Sequence, residues 1–320
     1  MKFIIAILLA LLFLETQSQR LVDGSDVSIM SYWNVEDTLD FQYNRSRHAF
    51  EDTSSLYDVT WNIQLVVTDS TDDSYTLDWY YKDFTSEIRS NGEIMDELAE
   101  EVLQKMKGLR IKYRTNELGT FTTIINWKEI RPILNKIYVY QYQKLGTTQY
   151  GTQMQNDFSR TKSIYIDQSA FEASHLMREI QQFHYLYGVL VTEGEVQQFQ
   201  MEQQSPLTNG SIPVDVSLQL SKLDKVAAVG EITIKQKFGE EAIEILINAT
   251  KDRFRQIGRE IPEDVDVPLI DITEEYKFKY DLNSGWPIEI SHIKETKSEY
   301  SHSVDESTFN LNPNKVSSLE

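Results

Sequence analysis

Apolar and polar residues alternate with a period of two over long stretches of this chain, and the stretches lie in adjacent pairs. Tyr57, Val59, Trp61, Ile63, Leu65 and Val67 interleave with Asp58, Thr60, Asn62, Gln64 and Val66. Successive side chains of a strand point to opposite faces, so this run predicts a strand with one buried and one solvated side. A turn at Asp69–Asp73 follows, and then Tyr75, Leu77, Trp79 and Tyr81 alternate with Thr76, Asp78, Tyr80 and Lys82. Together the two runs predict an antiparallel hairpin. Further strands are predicted at 38–47, 109–115, 121–125, 214–221, 230–237, 275–280 and 287–297.

Elsewhere the apolar period lengthens. Ile94, Leu98, Val102 and Met106 recur every four residues before Gly108, the pattern of an amphipathic helix with a left-handed terminator. Asn126-Trp-Lys-Glu129 has the spacing of a capping box. Pro132 lies one turn further on, so that helix either kinks or begins near Pro132. One helix is predicted from Asp167 to Tyr187 and another from Gly239 to Gly258, with Thr147–Tyr165 and Ser205–Ile212 as flexible connections.

Strands joined by short turns imply antiparallel pairing, and half-solvated alternation implies that helices cover one side only. The expected architecture is α+β: a long, twisted antiparallel sheet, curled into an open half-barrel, with the helices packed on its inner face. We assign 1–19 to a signal peptide, 20–310 to a single α+β domain and 311–320 to a disordered tail. Within the domain, 20–146 and 195–310 read as two similar halves joined by a helical segment, without a residue-level repeat.

Composition narrows the function. The 320 residues carry Lys+Arg 31 against Asp+Glu 50, a net charge of -19. Nucleic-acid and anionic-membrane binding both depend on clustered cations, so neither partner is expected. Cys 0 removes disulfides, thiolate metal sites and cysteine nucleophiles. Lys2, the apolar run Phe3–Leu14 and the polar exit Glu15–Gln19 have the layout of a secretory leader cleaved near Ser18 or Gln19. Its apolar run is too short to span a bilayer, which takes about 20 residues. No later stretch has that length, so the mature chain is expected to be exported, to the periplasm or the outside, with no transmembrane segment.

Chemistry is sparsely marked. His48, His175, His184, His292 and His302 form no metal-binding spacing and read as isolated surface or half-buried residues. Nucleophile-elbow and phosphate-cradling glycine motifs do not occur, and no cofactor is expected. Asp69, Asp72 and Asp73 make an oxygen-rich hairpin tip, a weak calcium candidate without the glycine and distal glutamate of an EF-hand loop; otherwise it is a solvated turn. Glu263, Asp264 and Asp266 form a second acidic loop of the same kind. Trp61, Tyr75, Leu77, Trp79 and Tyr81 share one face of neighbouring strands, where such aromatics either fill a core or line a cavity for an apolar ligand. Tyr80, on the solvated side, could mark a contact patch.

The leader ending Gln17-Ser18-Gln19, the string Tyr75-Thr-Leu-Asp-Trp79, and Leu109–Gly119 running into Asn126–Glu129 resemble exported proteins of Bacteroidota over about 60 residues. That resemblance implies export and no particular activity. The sheet-and-helix plan is similar to periplasmic lipoprotein carriers of the LolA kind, which implies a lipid held between a curved sheet and helices. The resulting expectation is a non-enzymatic binding protein for an apolar small molecule, a lipid or a protein partner. The alternatives are a carboxylate-dependent hydrolase acting on glycans and a structural module of the cell envelope.

Overall fold

The computed structural model describes residues 22–49, 56–89, 93–148, 151–205, 210–256, 270–299 and 301–311. The leader, the acidic loop at 263–266 and the tail after 311 lie outside the described residues.

Alternation governs the architecture. The strands β3 (Thr38–Ala49), β4 (Leu56–Thr71), β5 (Ser74–Arg89), β6 (Arg110–Asn116) and β7 (Phe121–Ile124) form one side of an antiparallel sheet. On the other side are β9 (Val196–Ser205), β10 (Gly210–Asp224), β11 (Val229–Lys237), β12 (Asp271–Asp281), β13 (Pro287–Lys297) and β14 (His302–Leu311). Its order is β7-β6-β5-β4-β3-β14-β13-β12-β11-β10-β9. The last strand thus pairs with the first long one, Phe309 opposite Tyr43, and the sheet ends in two edges instead of closing into a barrel. A smaller sheet combines β1 (Val22–Asp23), β2 (Asp26–Ser28) and β8 (Leu190–Thr192).

One face of the large sheet is packed. Leu39, Phe41, Tyr43, Trp61, Ile63, Leu65, Leu77, Trp79, Ile232, Ile234, Phe278, Ile290 and Phe309 are all buried there, paired across strands in register. The other face is a lattice of charges, including Lys82 with Asp40, Arg110 with Asp78 and Lys235 with Glu275. Tyr80, expected on the solvated side, stands there half-buried, with the Arg110 guanidinium 4.2 Å from its ring centre.

The helices are α1 (Glu93–Met106), α2 (Trp127–Gly146), α3 (Gly151–Ser159), α4 (Lys162–Ile166), α5 (Gln168–Glu172), α6 (Arg178–Phe183) and α7 (Glu240–Gln256). Three expectations change. The capping box at Asn126 does not form: its side chain accepts from Lys112 N–H and donates to the Arg110 carbonyl, acting as a partner for β6, while α2 starts at Trp127 and runs through Pro132. The single helix at 167–187 is broken into α5, a 3₁₀ turn at His175–Met177 and α6. Ser174 causes the break, since its hydroxyl donates to the Phe171 carbonyl and accepts from Leu176 N–H, competing with the helical ladder. Thr147–Tyr165, expected as a flexible connection, contains α3 and most of α4.

Phe183, at the end of α6, stands edge-on to Phe41 and Trp79 with centroids 5.2 and 5.6 Å apart, so this broken segment lies against the packed face. Alpha5 has a separate task. Free strand edges expose unpaired backbone groups; at β7, Ile124 N–H donates to the Glu172 carboxylate at 2.7 Å, and the Gln168 amide donates to Ile124 C=O at 2.7 Å. These two side chains satisfy the edge as a neighbouring strand would.

Gly285 is fixed by its surroundings. It sits at φ +72, and a β-carbon there would lie 1.9 Å from the carbonyl oxygen of Met30. Gly285→Ala is expected to cost about 2 kcal/mol or more, through left-handed strain plus displacement of backbone; a denaturant midpoint equal to wild type would contradict this.

Candidate functional site

Trp61, Leu77, Trp79 and Tyr81 come together on the packed face and are buried there, while Tyr75 is half-buried and its hydroxyl donates to the Ser31 carbonyl at 3.2 Å. The Trp61 ring meets Tyr81 at 5.2 Å and Trp79 meets Phe183. A small apolar cavity of about 20 Å³ lies elsewhere, between Val102, Met106, Leu134, Ile137 and Phe171. Asp69, Asp72 and Asp73 remain at the exposed β4–β5 tip, where Asp69 accepts from Ser70 N–H at 3.0 Å. Among the described residues no three His, Asp or Glu side chains gather closely enough to hold a metal.

His184 and His292, expected as surface or half-buried residues, are buried: the break before α6 turns His184 inward, and His292 stands on the packed face of β13 opposite Tyr276. His184 follows α6 with both ring nitrogens engaged. Nδ1–H donates to the Gly119 carbonyl at 2.7 Å, which leaves Nε2 to accept from the Tyr113 hydroxyl at 2.7 Å. A carbonyl can only accept, so the chemistry of its partner fixes the tautomer. Burial pushes the His184 pKa down to about 3.

A polar seam crosses the middle of the otherwise apolar packed face. Arg45 of β3 makes a two-pronged pair with Asp305 of β14, at 3.2 and 2.8 Å. Arg178 approaches the same carboxylate at 4.0 Å. Glu179 is half-buried as a residue, but its carboxyl group sits in the interior, where loss of solvation raises its pKa despite Arg45 and Arg178 nearby. Two strands along, Glu274 is only 4% exposed and receives three donors: Lys294 Nζ at 2.6 Å, Tyr276 hydroxyl at 3.0 Å and His292 Nε2 at 3.2 Å. Burial works to raise its pKa, yet the hydrogen bonds and the Lys294 charge prevail and hold it down at about 2. The period-two pattern conceals these acids, because they occupy positions where an apolar residue is expected.

Beyond the seam, toward β9, the packed face is incompletely covered. Tyr185 lies parallel to Tyr276 and Phe278, with centroids 5.5 and 6.1 Å away, and Gln236 donates to its hydroxyl at 3.2 Å. Its outer side stays open, leaving Tyr185 38% exposed. Phe199 of β9 pairs with buried Val216, placing it on the same face, and is 48% exposed. Tyr185, Tyr276 and Phe278 stack into an aromatic shelf with the buried Glu274 carboxylate at its margin, and Phe199 lies on the same face three strands away. Sequence reasoning missed it: β9 alternates no apolar and polar residues, and Tyr185 sat within a helix drawn as unbroken.

The reverse side of the same strands bears an open groove of about 860 Å³. Its walls are two rows of outward side chains, Ser217, Lys235 and Glu275 facing Asp215, Lys237 and Thr273. Val216, Gln236 and Glu274, buried between these rows, also line it, as do Phe199 and Ile293. Glu275 is neutralised by Lys277 at 2.6 Å and by Lys235.

No family model matches the chain, so the resemblances to Bacteroidota exported proteins and to LolA-type carriers stand as expectations. No curated protein matches it either. Among solved structures it is similar to a lipovitellin, in work on lipid–protein interactions in that protein, with a TM-score of 0.39 and 8% identity. The match covers 87% of this chain and 25% of lipovitellin, so the chain spans about a quarter of that protein's length.

Proposed function

We propose that the chain is an exported, non-enzymatic binding protein that holds an apolar or lipid-like ligand between sheet and helices, on the aromatic shelf of Tyr185 and Tyr276 and on Phe199 of the same face. The observation that carries this reading is the exposure of Tyr185 and Phe199 on a face that is otherwise closed by packing. Flat rings offer apolar area at small entropic cost, and the hydroxyls of Tyr185 and Tyr276 and the amide of Gln236 border them with polar anchors. Trp61, Leu77, Trp79 and Tyr81 are buried on β4 and β5, four or five strands away from β12.

Native mass spectrometry of the chain purified from its own host is expected to show a co-purifying lipid-like mass. Tyr185→Ala is expected to weaken binding of a fluorescent fatty-acid analogue about tenfold, the loss of about 1.4 kcal/mol of stacking and burial. A wild-type chain that carries no such mass and does not bind the analogue would remove the reading.

A further inference from the structure

The two edges of the large sheet are treated differently. Beta7 has 4 residues and is capped by the Gln168 and Glu172 side chains. Beta9 has 10 residues and, among the described residues, pairs along its length with β10 alone, with no shift of register. Alternate residues of an antiparallel edge strand direct N–H and C=O outward, so β9 presents a long row of unsatisfied donors and acceptors.

Its sequence lacks the devices that blunt an edge. Val-Gln-Gln-Phe-Gln-Met-Glu-Gln-Gln-Ser holds no lysine, no proline and one charge, Glu202, in a chain of net charge -19. Charged edges repel their own copies; this one carries a single carboxylate, which repels only in a register that sets it against itself. We propose that β9 is an interface between two copies of this chain, paired antiparallel about a two-fold axis so that two sheets continue into one. The proposal shares Phe199 with the ligand reading but rests on the free backbone edge of β9, and its tests read chain mass and cross-linking instead of ligand.

The geometry restricts the register. A two-fold axis perpendicular to the sheet keeps each face on its own side, and Phe199 and Met201 lie on the packed face with Val216 and Val214. Residues opposite one another must therefore both be odd-numbered or both even-numbered. Centring on Gln200 sets Phe199 against Met201 twice, covering the exposed phenylalanine, and sets Glu202 against Gln198. Centring two residues later would oppose Glu202 to itself, which charge disfavours. Self-complementary contact of this kind is what a closed two-fold dimer requires.

Because the chain has no cysteine, a single introduced thiol is unambiguous. In the full exported chain, Gln200→Cys is expected to form a disulfide dimer on mild oxidation at least about tenfold faster than Gln197→Cys, whose two copies would lie about 20 Å apart at about 3.3 Å per residue. Sedimentation of the cysteine-free wild type is expected to give twice the chain mass. Phe199→Lys, an exposed position that tolerates charge, is expected to sediment as a monomer with unchanged circular dichroism. A wild type that stays monomeric throughout a dilution series overturns the proposal, as do equal rates at the two cysteine positions or a Phe199→Lys dimer.

Discussion

His184→Phe is expected to lower stability by about 2–6 kcal/mol at neutral pH, while filling nearly the same space. Two buried partners lose their hydrogen bonds at once, the Tyr113 hydroxyl and the Gly119 carbonyl, and each orphaned group costs about 1–3 kcal/mol. The pH dependence is a separate signature. The folded state holds the ring neutral, with a pKa of about 3 against 6.5 in the unfolded chain. Between those values the unfolded chain binds the extra proton, so the contribution is complete above pH 6.5 and is lost as pH falls toward 3. At about 1.36 kcal/mol per pKa unit this amounts to about 5 kcal/mol. Denaturant melts of wild type and His184→Phe should therefore converge on acidification; parallel curves would contradict the assignment.

Glu274→Leu is expected to cost about 3–5 kcal/mol, the penalty for breaking a buried pair from one side. His292 is the reason. Among the described residues its Nδ1 has no hydrogen-bond partner, and its Nε2 is held by Glu274, so the substitution removes the one partner they give this buried imidazole. Lys294 can swing into water, being 38% exposed along its side chain. The native carboxylate, with its pKa depressed from 4.5 to about 2, stabilises the fold fully above pH 4.5, and that contribution fades as pH falls through 2. Its full value is about 3 kcal/mol at about 1.36 kcal/mol per pKa unit. Glu179 opposes this trend: with its pKa raised, its ionisation costs the folded state stability as pH rises past 4.5. Equilibrium unfolding of Glu274→Leu near pH 7, set beside Glu274→Gln, checks the claim. The amide retains an acceptor for His292 and should recover part of the loss, whereas equal losses would point to packing alone.

How far the fold could be read in advance depended on whether burial imposed a period. The hairpin of β4 and β5 was legible because Trp61, Ile63 and Leu65 must alternate with solvated neighbours for that sheet to pack. Beta9 was illegible because glutamine occupies both of its faces, and β14 because Asp305 and Ser307 stand on the packed side, where an apolar residue would have marked the strand. His184 and Tyr185 were hidden by a single hydroxyl. Ser174 interrupts the helix, and a phase carried across the break assigns every later side chain to the wrong direction. The shelf, for its part, depends on which aromatics stay uncovered, a property of tertiary fit that composition does not encode.

The seam between β3 and β14 bears on how the chain acquires its shape. Arg45 and Asp305, bound across it, are 260 residues apart in sequence. Most neighbouring strands can zip locally as they emerge during synthesis, but this central join must wait for the final strand. Until it arrives, the nascent polypeptide holds two separate partial sheets with raw margins facing each other, a slow and adhesive stage for so non-local a topology.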